Sequence, residues 1–330
     1  MHAMSESARL FYVVMCMVEF AACGYPPLPQ LMSDAPSCAG LTKTCGESGT
    51  DDCCSSLAVP GGAYDRSYDV AGSGDTSSPA TVSNFRLDKY EVTVGRFRAF
   101  VNAGMGTQTS PPSPGAGAYA NIAGSGWDAS WNLRLVANTA ALVAGVKCSS
   151  NYQTWTDTPA ASEYRPMNCV TWYEAMAFCA WDGGYLATEA EWNYAAAGGD
   201  QQRVYPWSSP ADSLMLDGSH ASYYDGINCV GDGAAGCSVT DLVAVGTKPL
   251  GDGRWGHSDL AGNVWEWTLD WYATYVNPCT DCVNIKATSS RVLRGGSFVN
   301  DASGLRAGYR GDNGPAVRGI GIGIRCARTP

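Results

Sequence analysis

The sequence predicts a loop-rich domain of the α+β class. Glycine occurs 39 times in 330 residues, beside 11 tryptophans and 17 tyrosines, which indicates long loops held by aromatic anchors. A strand pattern and three helical patterns occupy the first two thirds of the chain, while residues 200–330 are typical of turns and short strands. At this length, we expect one large domain with a short appendage and a sizeable core.

The first regular elements lie near residue 85. Residues 85–93 alternate apolar and polar side chains as a strand does. Thr93 then predicts the N-cap of a helix, whose apolar stripe consists of Phe97, Phe100 and Val101. Residues 104–165 are rich in glycine, serine and proline and predict a loop. Three tryptophans are expected to pin this loop to the body: Trp127, Trp131 and Trp155.

Two further helices are predicted in the middle of the chain. The strongest helical pattern starts after Asn168 or Thr171, either of which can cap it. Its apolar face consists of Trp172, Ala175, Met176, Phe178 and Cys179. Thr188 followed by Glu191 three residues later predicts a capping box and a second helix. The sequence contains no repeats of 20–50 residues and no nucleotide-binding glycine motif.

Charge excludes one class of partner. Only 16% of the residues are charged and the formal net charge is −10. Proteins that bind nucleic acid neutralise phosphates with clustered lysine and arginine, and no such cluster is visible. We therefore expect no nucleic-acid partner and interpret the acidic balance as a contribution to solubility.

The fourteen cysteines predict a disulfide framework in an oxidising compartment. Only three histidines are present, and Cys279-x-x-Cys282 has no second motif of this kind, which argues against zinc. Local pairing is expected for Cys148 with Cys169, Cys229 with Cys237, and Cys279 with Cys282, although spacing alone leaves the connectivity open.

The N-terminus predicts export. The apolar run from Leu10 to Cys23 is too short to span a membrane and is typical of a signal peptide over residues 1–22. Residues 20–23 resemble the lipobox of bacterial lipoproteins, so we expect a lipid on Cys23 that attaches the protein to the membrane of the bacterial cell envelope. A plain signal peptide, which would give a secreted protein, and a misplaced start codon are the alternatives.

Residues 23–58 are interpreted as a linker rich in proline and cysteine. This segment shows no hydrophobic periodicity, and Cys38, Cys45, Cys53 and Cys54 predict a small disulfide-stapled knot. A spacer that lifts the following domain off a membrane is favoured over a binding module.

The remaining residues, 59–330, resemble the formylglycine-generating enzyme (sulfatase-modifying factor) family. Six blocks carry the resemblance in order: FRLDKYEVTVGRFRAF (85–100), PMNCVTWYEAMAFCAWDGGYLATEAEWNYAAAGG (166–199), YPW (205–207), DLAGNVWEW (259–267), RVLRGGSF (291–298) and IRCAR (324–328). The resemblance implies a large, irregular, loop-rich α+β domain that is related in topology to C-type lectins.

The resemblance also implies a disulfide and a metal site. The family's bridge between a helix and the final strand corresponds to Cys179 and Cys326. A structural Ca²⁺ is implied on Asp259, Gly262, Val264 and Glu266, and such oxygen-only ligation suits calcium. A purely hydrogen-bonded turn is the alternative.

The same resemblance implies that the family's copper chemistry is absent from this chain. Its sulfatase-activating members hold copper(I) with two cysteines that lie five residues apart, just after the Arg-Gly-Gly-Ser motif. The matching positions in this chain are Asn300 and Leu305. Monovalent copper selects thiolate ligands, so we predict neither a copper site nor a catalytic residue.

These observations favour a monomeric, non-catalytic, cell-surface protein that binds a peptide, a protein or a glycan. The binding surface is predicted around residues 299–323, next to two cleft positions of the family. The candidates are Trp265, Ser297, Val299, Asn300, Asp301, Tyr309, Asp312 and Asn313. This tail also resembles the variable ends of proteins that retroelements diversify. The alternatives are a solvated terminal loop, a divergent formylglycine-generating oxidase acting on protein cysteine, and a structural envelope protein.

Overall fold

The structure is a computed structural model, and it describes residues 30–31, 35–72, 74–120 and 122–330. The predicted signal peptide over residues 1–22 and the lipidation candidate Cys23 lie outside the described residues. Within the described ranges, none of the helices has the length and apolar character needed to cross a membrane.

The regular elements of the described chain are short. The strands are β1 Gln30–Leu31, β2 Ser55–Val59, β3 Gly62–Asp65, β4 Pro79–Val82, β5 Phe85–Asp88, β6 Tyr185–Leu186, β7 Trp265–Trp271, β8 Cys279–Thr280, β9 Arg291–Arg294, β10 Gly311–Asn313, β11 Ile322–Gly323 and β12 Cys326–Arg328. The α-helices are α1 Val94–Asn102, α2 Thr139–Gly145, α3 Trp172–Trp181 and α4 Glu189–Ala196. Short 3-10 helices cover Pro36–Cys38, Ala129–Arg134, Ala161–Tyr164, Gly199–Gln201, Val239–Asp241 and Pro249–Gly251.

Three sheets organise these strands. The five-stranded sheet has the order β1-β2-β5-β12-β6, so the C-terminal strand lies between two strands from earlier in the chain. The four-stranded sheet has the order β10-β9-β7-β11, with β11 parallel to β7. The third sheet has the order β3-β4-β8. Separate sheets and helices joined by long loops confirm the predicted α+β class.

Side-chain caps start the predicted helices as expected. The hydroxyl of Thr93 accepts a hydrogen bond from the backbone N–H of Arg96 and begins α1. Thr171, and not Asn168, caps α3, because Glu174 completes a capping box with it. Thr188 and Glu191 form the predicted capping box of α4. Helix α2 was not predicted, because Leu142 is its only fully buried side chain and so short an element shows no periodicity.

The capping box of α4 makes folding stability depend on pH. Burial raises the pKa of Glu191 from 4.5 to about 7, although Thr188 and Tyr185 donate hydrogen bonds to its carboxylate. The native state therefore holds this proton more tightly than the unfolded chain, and stability falls as pH rises from the unfolded pKa of 4.5 to the folded pKa of about 7. Glu191→Gln removes this titration. We therefore expect its unfolding free energy, relative to that of the wild type, to be about 3 kcal/mol higher at pH 9 than at pH 5. Urea unfolding of both proteins at both pH values measures this change, and the same difference between variant and wild type at pH 5 and pH 9 would contradict it.

Six disulfides connect the twelve cysteines of the described chain. Cys179 of α3 is bonded to Cys326 of β12 across 147 residues, which confirms the implied bridge. The three local pairs are confirmed as well, with bridges at Cys148–Cys169, Cys229–Cys237 and Cys279–Cys282. The N-terminal knot is closed by Cys38–Cys54 and Cys45–Cys53.

This knot packs against the main domain. Ser37 is fully buried, donates its backbone N–H to Asp182 at 3.0 Å and accepts a hydrogen bond from Arg96 at 3.0 Å. Strand β2 runs across the expected boundary at residue 59 and pairs with β5. The cysteine spacing predicted the knot. It did not predict that the knot docks on a buried ion pair of the domain.

A buried network of four charges lies beneath the knot. Asp88 and Asp182 each accept hydrogen bonds from the guanidinium groups of Arg96 and Arg328. The two carboxylates and Arg96 are inaccessible to solvent, and Arg328 is nearly so. The network joins α1, β5, β12 and the end of α3, because the partners come from these four elements.

Candidate functional site

Strand β9 ends in a turn that is built on two glycines with positive φ. Gly295 and Gly296 have φ values of +97° and +74°, a region that side chains with a Cβ rarely adopt. A Cβ on Gly296 would also lie 2.8 Å from the carbonyl oxygen of Gly304. The turn therefore brings Ser297 and the residues that follow against the start of β7.

Asn300, which the sequence resemblance predicts at the first family cysteine position, is an anchor of this turn. Its side-chain oxygen accepts hydrogen bonds from Trp265 Nε1 at 2.8 Å, Ser297 Oγ at 2.7 Å and the Ser297 backbone N–H at 3.1 Å. An amide oxygen has two lone pairs, so three donors use its full capacity. The structure thus brings together Trp265, Ser297 and Asn300, which sequence analysis had proposed separately as ligand-binding candidates.

Leu305, which the same resemblance predicts at the second family cysteine position, is a packing residue. It is fully buried in a hydrophobic cluster with Val204, Tyr205, Ala221, Tyr223 and Ala261. The two positions therefore carry a saturated amide and a buried alkyl group. Because the cysteines from Cys38 to Cys326 are all oxidised in disulfides, the described chain also offers no free thiol nearby. These residues do not fit copper(I), which thiolates hold.

The outer side of the turn is open to solvent. Val299 is 40% exposed and Tyr309 is 47% exposed, and the Tyr309 ring lies 6.0 Å from the ring of Trp265. Asp301 is exposed, and its carboxylate accepts hydrogen bonds from Ser303, which lower the pKa of Asp301. These residues form the centre of a surface that we call the Trp265 face.

The Trp265 face continues along the edge strand β10. This strand pairs with β9 on one side, and it carries the exposed Asp312 and the half-buried Asn313. A Cβ on Gly311 would lie 3.0 Å from the Trp265 ring, so the strand starts directly against that ring. All eight predicted ligand-binding candidates thus lie on the turn, on the start of β7 or on the adjoining edge, with Ser297 buried beneath the others.

The predicted calcium segment is only partly free to bind a cation. Both oxygens of Glu266 accept hydrogen bonds from Arg325, and one of them also accepts a hydrogen bond from Trp192 Nε1 at 2.6 Å. Glu266 is therefore a partner of Arg325, and both of its oxygens are engaged in this structure. No cluster of three or more acidic, histidine or cysteine side chains arranged for metal occurs within the described ranges.

Three other side chains place oxygen atoms at this turn: Asp259, Asn263 and the neighbouring Glu91. Asp259 accepts one hydrogen bond from the backbone of Gly246, and burial raises its pKa to about 6. Burial and the charges of Asp259 and Glu266 raise the pKa of Glu91 well above its ordinary value. The side-chain oxygen of Asn263 is buried and finds no donor in the described part of the chain. Glu91 could not be predicted as a partner of this turn from the sequence, because it lies 172 positions before Asn263.

Gly262 and Val264, the two predicted carbonyl ligands, lie in the same turn. Gly262 has a φ of +84°, and a Cβ there would lie 2.3 Å from the carbonyl oxygen of Ser222. Val264 is fully buried, and its backbone N–H donates to Glu91 at 3.0 Å. The backbone turns tightly at Gly262, and the turn has an acidic partner in Glu91 that its own sequence does not reveal.

Comparison with known proteins defines the class to which this fold and this turn belong. Residues 42–330 match the family described as the sulfatase-modifying factor enzyme 1-like domain, and the chain belongs to that family. The match begins at residue 42, and not at the predicted residue 59, in agreement with the docked knot.

Several curated relatives share this domain. The formylglycine-generating enzyme of Streptomyces coelicolor is 31% identical over 263 residues, which cover 74% of this chain and 77% of that protein. The formylglycine-generating enzyme of Mus musculus is 35% identical over 173 residues, 49% of this chain and 44% of the mouse protein. The chain thus spans less than half the length of the mouse relative. The inactive C-alpha-formylglycine-generating enzyme 2 of Bos taurus is 34% identical over 167 residues, 49% of this chain and 50% of the bovine protein.

Solved structures show the same fold at low identity. PvdO from Pseudomonas aeruginosa aligns with a TM-score of 0.56 and 21% identity, covering 84% of this chain and 94% of that one. Treponema denticola variable protein 1 aligns with a TM-score of 0.52 and 20% identity, covering 84% of this chain and 95% of that one. These likenesses confirm the predicted fold.

Proposed function

We propose that this chain is a sulfatase-modifying-factor-like domain that lacks formylglycine-generating activity and acts as a ligand-binding protein at the cell surface. The proposal rests on the residues that stand at the two positions where the family is expected to have cysteines. Asn300 is saturated by three donors and Leu305 is fully buried. Neither can hold copper or form a covalent bond with a substrate thiol.

Export is supported by the disulfides. Six bridges form within one chain, and such a framework persists only where the surroundings are oxidising. Attachment to the bacterial envelope through a lipid on Cys23 rests on the sequence of the N-terminus. Mass spectrometry of the mature N-terminus tests it: we expect an acylated Cys23, and an unmodified N-terminus at another residue would contradict the anchor.

The Trp265 face is the proposed binding surface. Trp265 and Tyr309 offer aromatic rings with few rotatable bonds, while Asp301, Asp312 and Asn313 offer polar groups at their margin. Rigid aromatic side chains bordered by adaptable polar ones are typical of surfaces that recognise peptides, proteins or glycans. A divergent oxidase is the competing function, because several relatives are named as formylglycine-generating enzymes. A structural role in the envelope is another alternative.

Truncation of Tyr309 should identify the binding surface. We expect a ligand selected from arrays of defined peptides and glycans to bind Tyr309→Ala at least tenfold more weakly than the wild type, because a central aromatic contact is lost. Leu250→Ala is the matched control, since Leu250 is a 60% exposed apolar side chain outside the Trp265 face. Titration calorimetry measures both. Equal weakening by the two variants, or no selected ligand at all, would contradict the proposal.

We also propose that Ca²⁺ is held by Asp259 and the carbonyl groups of Gly262 and Val264, with the unpartnered oxygen of Asn263 as a further ligand. Calcium should then raise the unfolding free energy by about 3 kcal/mol at a hundredfold excess over its dissociation constant. Thermal unfolding with calcium and with a chelator measures this gain. Asp259→Asn should abolish it, whereas Asp312→Asn, at an exposed position, should leave it unchanged. An identical melting temperature in calcium and in chelator would refute the site.

A further inference from the structure

A cavity lies beside the Cys279–Cys282 disulfide, on the third sheet. It has a volume of about 450 Å³, and Asp65, Thr81, Gln202, Pro278, Cys279 and Thr280 form part of its wall. None of the eight candidates of the Trp265 face lines this cavity. It is therefore a site separate from the proposed ligand-binding surface.

The two sulfurs of this disulfide have different surroundings. Cys279 belongs to β8, is almost fully buried and contributes to the cavity wall. Cys282 is half-buried, and its sulfur accepts a hydrogen bond from a guanidinium nitrogen of Arg66 at 3.5 Å. Cys279 thus borders the cavity, while the sulfur of Cys282 meets a positive charge.

Arg66 is built into this position. It is almost fully buried, and its guanidinium lies 4.3 Å from the centre of the Tyr275 ring. Its other hydrogen bonds go to the backbone carbonyls of Ser78 and Val276 and to the side-chain oxygen of Asn277, all of which are neutral. Because none of these hydrogen-bond partners carries a negative charge, Arg66 can stabilise a thiolate on Cys282.

Reduction of this bridge should leave the fold intact. Its cysteines are only 3 residues apart, so the bridge constrains little of the unfolded chain. Strand β8 is held independently by pairing with β4 and by a backbone hydrogen bond from Asp281 to Thr81. The disulfide therefore contributes little to holding the sheet together.

We propose that Cys279–Cys282 is a thiol–disulfide exchange site that oxidises a dithiol peptide or protein bound in the adjacent cavity. A substrate thiolate attacks the sulfur of Cys279, and a mixed disulfide forms as the Cys279–Cys282 bond breaks. The electron pair of that bond goes to Cys282, which leaves as a thiolate beside Arg66. A thiol of lower pKa leaves faster, so the arginine lies on the side where it accelerates this step.

In the second half of the reaction, the substrate disulfide forms and the two protein cysteines are released in the reduced state. The second substrate thiolate attacks the substrate sulfur of the mixed disulfide, and Cys279 leaves as a thiolate. The substrate has lost two electrons and two protons and now holds a disulfide, and the two protein cysteines have gained them. A small-molecule or protein disulfide then reoxidises the pair by the same exchange.

Equilibration with mixtures of reduced and oxidised dithiothreitol tests the redox poise. Samples of the folded protein are alkylated and mapped as peptides. We expect Cys279–Cys282 to be half reduced at a reduced-to-oxidised ratio at least tenfold lower than Cys229–Cys237 requires. That bridge is also local and also has one half-buried cysteine, but its sulfurs carry no arginine hydrogen bond in the described structure. Reduction of the two bridges at the same ratio, or in the reverse order, would overturn the proposal.

Two sets of variants separate the parts of the proposal. Arg66→Met should move the half-reduction ratio of Cys279–Cys282 at least threefold toward reducing conditions, and Arg66→Lys, which keeps the charge, should move it less. Cys282→Ser should form a mixed disulfide with an oxidised dithiol peptide through Cys279, whereas Cys279→Ser reports the reactivity of the half-buried thiol beside Arg66. An unchanged ratio in Arg66→Met, or no adduct on Cys279 in Cys282→Ser, would overturn the assigned roles.

Discussion

Replacing Asp182 by alanine is expected to lower the free energy of unfolding by about 3–5 kcal/mol. Burial raises the pKa of this carboxyl, but Arg96 and Arg328 outweigh that effect and hold the pKa below its ordinary value, so the group is ionised. Its removal leaves Asp88 as the single carboxylate facing two buried guanidinium groups. It also deprives the backbone N–H of Ser37 of its acceptor, so the N-terminal knot should loosen.

Asp200→Ala is the matched control for this prediction. Asp200 pairs with Arg254 at 2.7 Å, a distance similar to those in the buried network, but its side chain is 77% exposed. Solvent screens such a pair, so its loss should change the unfolding free energy by about 1 kcal/mol or less. Chemical denaturation of both variants measures the contrast. Similar losses for the two variants would mean that burial does not decide the strength of these pairs.

Removing the bridge between Cys179 and Cys326 is expected to cost on the order of 5 kcal/mol, because it closes a loop across 147 residues. The double variant Cys179→Ala/Cys326→Ala should therefore unfold at a much lower denaturant concentration, or fail to fold at 37 °C. Alanine is chosen because both sulfurs are fully buried and a serine hydroxyl there would lack a partner.

The double variant Cys279→Ala/Cys282→Ala is the control for loop length. Its bridge spans 3 residues, for which the same chain-entropy relation gives about 2 kcal/mol. The two double variants remove the same number of sulfurs, so the difference between their unfolding free energies reports the loop term. A loss for Cys279→Ala/Cys282→Ala as large as that for Cys179→Ala/Cys326→Ala would contradict the account.

Features that depend on neighbours in sequence could be predicted, whereas features that depend on distant partners could not, except for the Cys179–Cys326 bridge that the family resemblance implied. The caps at Thr93 and Thr188 and the bridge between Cys279 and Cys282 follow from residues a few positions apart. The pair of Glu266 with Arg325 joins residues 59 positions apart, and nothing in the sequence favoured it over calcium. Docking of Ser37 onto Asp182 spans 145 positions and escaped prediction for the same reason.

The candidate site shows the same division. The sequence showed directly that Asn300 and Leu305 carry no sulfur, and the comparisons establish the family to which the chain belongs. The sequence did not show that the Asn300 oxygen joins Trp265 to Ser297, since that contact depends on the two glycines of the turn and on the position of β7. Nor did it show Arg66 beside Cys282, because those residues are 216 positions apart.

Incubation of the purified, oxidised protein with copper(I), oxygen and a Cys-x-Pro-x-Arg peptide tests the central claim most directly, namely that the Trp265 face lacks the sulfur ligands of a copper oxidase. Mass spectrometry of the peptide and metal analysis of the protein give two independent results. We expect the peptide cysteine to remain without conversion to formylglycine, and less than stoichiometric copper to stay bound. Formylglycine formation, or one tightly bound copper(I) per chain that is lost on alkylation, would contradict the account.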